Sequence, residues 1–188
     1  MHPPDCLAAA PLPDRRHWLG LLLGASLGTG LPTPLLAGAG AQPPARMTRR
    51  ALSFPGDHGA HPDTGIEWWY VTGALQASGR EFGFQLTFFR ARVASTQTMR
   101  SAFAARQLIF AHVALTDLAG QRLLHDQRIA RSSGAAGVDL ASASTHDTDV
   151  RLRDWQLQRI GPHYQARALC DGFGLDLRLQ PTQSARAW

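Results

Sequence analysis

The chain has 188 residues, a formal net charge of +5 at neutral pH, two cysteines, and no basic side chain other than arginine and histidine. That length allows one domain with a sizeable core. Along the predicted strands its arginines stand singly between apolar residues rather than in one cluster, which fits a solvated outer face better than a nucleic-acid-binding surface. There is no Gly-x-Ser-x-Gly elbow, Walker loop, dinucleotide fingerprint or Cys-x-x-Cys pair, so serine-hydrolase, nucleotide and dithiol chemistry find no support.

In chain order, Arg15 and Arg16 precede an apolar stretch, residues 18–36, that ends in the small-residue run 37–41. Positive region, apolar region and small-residue site in that order predict a signal peptide over residues 1–41. Pro32, Pro34 and the interspersed glycines disfavour a membrane-spanning helix instead. The paired arginines suggest the twin-arginine route, although Asp14, Trp18 and Gly20 depart from its usual residues. Either export route leads to a periplasmic or secreted protein. Removing residues 1–41 takes away two Arg and two Asp, so the charge stays at +5, and leaves Cys170 as the sole cysteine. No internal disulfide is then available, and the fold must rest on its core. Residues 42–53, rich in Pro and Arg without apolar periodicity, read as a linker.

Residues 54–183 carry the folded pattern. Residues 66–75 are dense in aromatic and β-branched side chains, and the turn Ser78-Gly79-Arg80 leads into "EFGFQLTFFRARV". There Phe82, Phe84, Leu86 and Phe88 share one face and Gly83, Gln85, Thr87 and Phe89 the other, the period of a strand. "RQLIFAHVALTD" and residues 122–130 predict two more strands around a turn at residues 118–121. Residues 132–144 read as a loop with at most a short strand near residues 138–140. In "DVRLRDWQLQRI" the apolar phase changes at Arg153-Asp154, which predicts a bulge or tight corner. "HYQARALC" and "FGLDLRLQ" close the series, and residues 184–188 form a divergent tail. Seven or eight consecutive antiparallel strands without an amphipathic helix predict an all-β fold, a lipocalin-like up-and-down β-barrel wide enough for a small elongated ligand.

Within "GIEWWYVTG", Glu67, Trp69 and Val71 fall on one strand face and Trp68, Tyr70 and Thr72 on the other. Glu67 is one of two glutamates in the chain. An inward carboxylate needs an Arg or His partner or a raised pKa, and the latter is what a proton donor requires. Upstream, "DHGAHPD" gathers His58 and His61 with two carboxylates, without the spacing of a known zinc site, so no metal and no cofactor are expected. His112 lies mid-strand on the face of Leu108, Phe110 and Ala114. Asp126 and Arg128, two residues apart on one face, suit an ion pair.

The segments "FPGDHGAHPDTGIEWWYVTGAL", "GREFGFQLTFFRAR", "QLIFAHVALTD" and "LLHDQRIAR" resemble the family of carotenoid 1,2-hydratases and related AttH-type secreted lipocalin-like proteins, over about residues 52–182. The resemblance rests on His58, His61, Glu67, Trp68, Trp69 and Tyr70 with Gln85, Phe88, Phe89 and Arg90. It implies two lipocalin-type barrels in tandem, whereas "SARAW" at the end of this chain is unlike the expected continuation. A second barrel is thus a partner expected from the family, and a lone barrel or a truncated, inactive fragment are the two expectations for this chain. Chemically, the resemblance implies a hydro-lyase that adds water to the terminal C=C of an acyclic carotenoid. Glu67 would act as the acid, oriented by His58 or His61, with Trp69, Tyr70, Gln85, Phe88 and His112 lining the ligand. The alternative is a non-catalytic carrier of an apolar, lipid-like small molecule, working with a membrane surface or a transporter.

Overall fold

The computed structural model describes residues 50–134 and 139–185. The expected export signal, most of the linker and the end of the tail lie outside these residues. The described part is all-β and antiparallel, with two short 3-10 turns at Gly56–His58 and Ala94–Thr96. β1 (Ile66–Ala77), β2 (Arg80–Arg92), β3 (Gln107–Asp117) and β4 (Arg122–Ser132) form a four-stranded meander. β5 (Ala141–Ala143), β6 (Asp149–Leu152), β7 (Trp155–Ile160), β8 (His163–Cys170) and β9 (Phe173–Leu179) form a five-stranded one.

Tight turns set the register. Ser78 and Gly79 both have positive φ, 52° and 74°, and link Ala77 to its ladder partner Arg80. A two-residue turn of that handedness matches the twist of the strands it joins. The phase change at Arg153-Asp154 has the same origin. Leu152 pairs with Trp155 across a two-residue turn in which Arg153 has φ 57°, so the chain reverses rather than bulges. Val150, Leu152, Trp155 and Leu157 consequently all enter one core, and what reads as one kinked strand is two.

The sheets pack through their apolar faces. Leu86, Phe88, Ile109, Ala111 and Val113 from the first meet Val150, Leu152, Trp155, Leu157, Ala166, Ala168 and Leu175 from the second, all buried. Ala111 lies opposite Phe88 in the ladder and Ala166 opposite Leu157, large beside small, as close packing requires. The expected barrel closure is not seen. Among the described residues no ladder joins β4 to β5 or β9 to β1, and the two meanders remain separate sheets. β5, three residues long, is too short to continue the ladder, and the inward face of β4 carries Asp126 and Arg128 between Leu124 and Ala130.

Candidate functional site

Glu67 and Arg90 face each other in the β1–β2 ladder, on the inward face that also carries Trp69, Leu86 and Phe88. The Arg90 side chain is 2% exposed and that of Glu67 15%. Arg90 Nε donates to Glu67 Oε1 at 2.5 Å, and its terminal nitrogen donates to the carbonyl of His61 (2.6 Å), the carbonyl of Thr64 (3.1 Å) and the Thr64 hydroxyl (2.9 Å). A guanidinium this buried requires such a set of acceptors. The strap of residues 54–65, which leads into β1, provides most of them.

The strap is tied on its other side by Glu67. Its carboxylate accepts from the His61 backbone N–H (2.8 and 3.0 Å) and from His61 Nδ1 (3.0 Å). His61 Nε2 reaches Asp57 Oδ1 at 3.1 Å, and Asp57 in turn pairs with Arg50 and accepts from the Ser53 N–H. Charges therefore alternate along Arg50, Asp57, His61, Glu67 and Arg90. The hydrogen bond to Asp57 raises the His61 pKa above its ordinary value; partial burial opposes this and Glu67 adds to it. The protonated ring can donate from both nitrogens. Arg50, then the Ser53 N–H and the His61 ring, hold Asp57 well below the usual carboxylate range.

His58 plays a different part. Its ring stacks on Phe54, with centroids 4.3 Å apart, and burial, then the nearby Arg159, pushes its pKa down. Its carbonyl accepts from Trp69 Nε1 (3.0 Å) and from the Thr148 hydroxyl (3.2 Å), so one backbone oxygen ties the strap to both sheets. Ala60 N donates to Ser144 O at 2.7 Å beside it. Asp57, His61 and Glu67 meet in a line of hydrogen bonds; among the described residues no three His, Cys, Asp or Glu side chains are placed to hold a metal ion.

The residues singled out in the sequence divide between the two sides of the first sheet. Glu67, Trp69 and Phe88 point inward from the first sheet, Phe88 fully buried in the core, and His61 reaches Glu67 from the strap. Tyr70, Gln85 and His112 point outward. Tyr70, Thr87, His112 and Gln127 form one cross-strand row, and Gln85 Nε2 donates to the Thr87 hydroxyl at 3.0 Å. Gln85, His112, Ala114, His125 and Gln127 border a shallow cleft of ≈ 250 Å³. The neighbouring row is apolar throughout: Trp68, Phe89, Phe110 and Ile129, one from each strand. Phe89 and Phe110 stack at 4.6 Å with ring planes 7° apart. Trp68 is 58% exposed and Ile129 61%.

Sequence reasoning missed Arg90, Asp57 and Arg50 as members of the network. A signal for Arg90 was present, because it continues the inward phase of Phe84, Leu86 and Phe88 and so had to find a buried carboxylate. Asp57 had a signal in the "DHGAHPD" segment, four residues before His61, but its partner was not assigned; Arg50 lies in irregular chain and had none.

The sequence profile of the AttH-like family matches residues 45–187. The chain is 49% identical to an AttH candidate from Nitrosomonas europaea of known crystal structure, with a TM-score of 0.58 over 72% of this chain and 39% of that one. It thus spans about two fifths of that protein's length. No curated protein matches the sequence significantly. With the profile covering most of its length, the chain belongs to the AttH-like family.

Proposed function

We propose that this chain is an exported, non-catalytic binding domain that holds an elongated apolar ligand on the outward face of β1–β4. The observation that carries this reading is the exposed row Trp68, Phe89, Phe110 and Ile129. Its side chains cross all four strands, a span of about 14 Å at ordinary strand spacing. Outward positions of these strands carry one carboxylate, Glu81, and one guanidinium, Arg131, at opposite ends of the face. In a chain of +5 net charge, a face so poor in charge and rich in aromatic rings marks a binding surface. Each methylene a ligand buries there would contribute about 0.8 kcal/mol.

The state of Glu67 supports binding over hydration. Protonating an alkene needs a carboxylic acid facing the substrate, but both Glu67 oxygens accept from His61 or Arg90 under the strap. The carboxylate therefore serves as a clamp. Incubation with an acyclic carotenoid, followed by mass spectrometry, is expected to show no added water. A hydrated product that disappears in Glu67→Gln would reverse this reading.

Binding itself is tested with hexadecanol as a neutral apolar probe. Saturable binding is expected, weakened about tenfold in Trp68→Ala, as loss of a large contact surface predicts. Absence of saturable binding would overturn the proposal.

A further inference from the structure

At the β4 end of the apolar row the surface deepens into a cleft of ≈ 310 Å³, at the seam where the two sheets are not joined. Three large apolar side chains line it and stand exposed: Phe103 is 66% exposed, Ile129 61% and Leu140 54%. Ile129 belongs both to this lining and to the row, so the two surfaces are continuous. Two guanidinium groups, Arg131 and Arg153, border the cleft.

Arg153 is unusual among its neighbours. Arg128 pairs with Asp154, Arg151 with Asp149 and Arg159 with Asp147. The Arg153 side chain has no hydrogen-bond or ion-pair partner among the described residues. Its backbone is held in the β6–β7 turn, where its N–H donates to the carbonyl of Leu140, just before β5, at 2.7 Å. Arg131 is steadied by one bond, Nη1 to Phe103 O at 2.9 Å, which leaves further donors unused. The acid of the cleft, Asp139, is satisfied internally: its oxygens accept from the Ser132 and Ser133 hydroxyls and from the N–H groups of Ser133 and Gly134. It makes no ion pair with either arginine, and the two guanidinium charges outnumber its one.

Building on the binding reading above, we infer that this cleft takes the carboxylate of a free long-chain fatty-acid-like molecule, whose tail lies on the row from Ile129 towards Trp68. A planar guanidinium fork matches a carboxylate in two parallel hydrogen bonds. The apolar side chains beside it offer contact surface to the methylenes next to the carboxylate. A concave cleft with two arginines fits a single head group, whereas an anionic bilayer is recognised by a broader cluster of basic residues.

The test measures binding of hexadecanoate and hexadecanol to the chain by calorimetry, with the wild type, Arg153→Gln and Arg131→Gln. Hexadecanoate is expected to bind more tightly than hexadecanol, and Arg153→Gln to weaken the acid about tenfold while leaving the alcohol unchanged, as loss of a charge-assisted hydrogen bond predicts. Arg131→Gln is expected to act in the same direction. Equal affinity for acid and alcohol, or an acid affinity indifferent to Arg153→Gln, overturns this inference and leaves the apolar row standing as a binding site. Binding of neither probe overturns both. Binding to vesicles of anionic phospholipid without binding of monomeric hexadecanoate also overturns the inference, in favour of a membrane surface.

Discussion

Glu67 and Arg90 are ladder partners whose side chains both turn between the sheets, and together they hold the strap of residues 54–65 against the end of the β1–β2 hairpin. A buried guanidinium left without its carboxylate keeps its charge and loses its compensation. Glu67→Gln is therefore expected to destabilise the domain by about 3 kcal/mol or more in urea denaturation, and Arg90→Ala by a similar amount. Replacing the pair together, Glu67→Leu with Arg90→Met, should recover only part of the loss, because the His61 N–H and the His61 and Thr64 carbonyls still lose their partners. Two single variants that unfold at the wild-type midpoint would show that the pair is dispensable.

His61 makes the strap sensitive to pH. Its pKa is raised, so its contribution is complete below its ordinary value of about 6.5 and is lost as pH rises through the higher folded value. Asp57 is lowered, so its contribution is present above about pH 3.8 and is lost as pH falls through its depressed folded value. His58, pushed down by burial, works the other way from His61 and favours the fold less as pH falls below about 6.5. Hydrogen-exchange protection of residues 57–64 is expected to decline from pH 6 to pH 9, and His61→Gln should flatten that decline. A slope that survives the substitution would assign it to another group.

Gly59 is required by space. A Cβ there would lie 2.7 Å from the carbonyl carbon of Thr145 and 2.9 Å from the carbonyl oxygen of Ser144, both backbone atoms that cannot swing away. Gly59→Ala is expected to cost about 1–3 kcal/mol and to loosen the Ala60-to-Ser144 bond between strap and second sheet. Exchange of the Ala60 amide reports this directly; a protected Ala60 amide in the variant would contradict it.

The adjacent tryptophans are expected to behave as opposites. Trp69 points inward and donates to the His58 carbonyl, so Trp69→Phe should lose about 1 kcal/mol for the hydrogen bond alone. Trp68 is exposed on the outer face, so Trp68→Ala should change stability by no more than about 0.5 kcal/mol. Thermal denaturation of the two variants side by side makes the comparison. Equal losses would mean that the outer face is covered in solution.

Much of this was legible in the chain itself. Alternation with period two, broken by Ser78-Gly79 and residues 118–121, determined the four long strands and which side chains of each share a face, because a pleated strand leaves its side chains no other choice; which face turns inward it left open. It placed Trp68 and Trp69 on opposite faces and put His112 beside Phe110. Only the tertiary structure decided what met across those faces. Ladder register set Arg90 opposite Glu67 and aligned Trp68, Phe89, Phe110 and Ile129 in a row, and the irregular strap brought Asp57 and His61 to the same carboxylate. The separation of β4 from β5 was likewise a matter of packing, since periodicity describes the face of a strand but carries no information about which edge it will find. Local sequence specifies direction, and distance between segments remote in the chain is set by the shared core that draws them together.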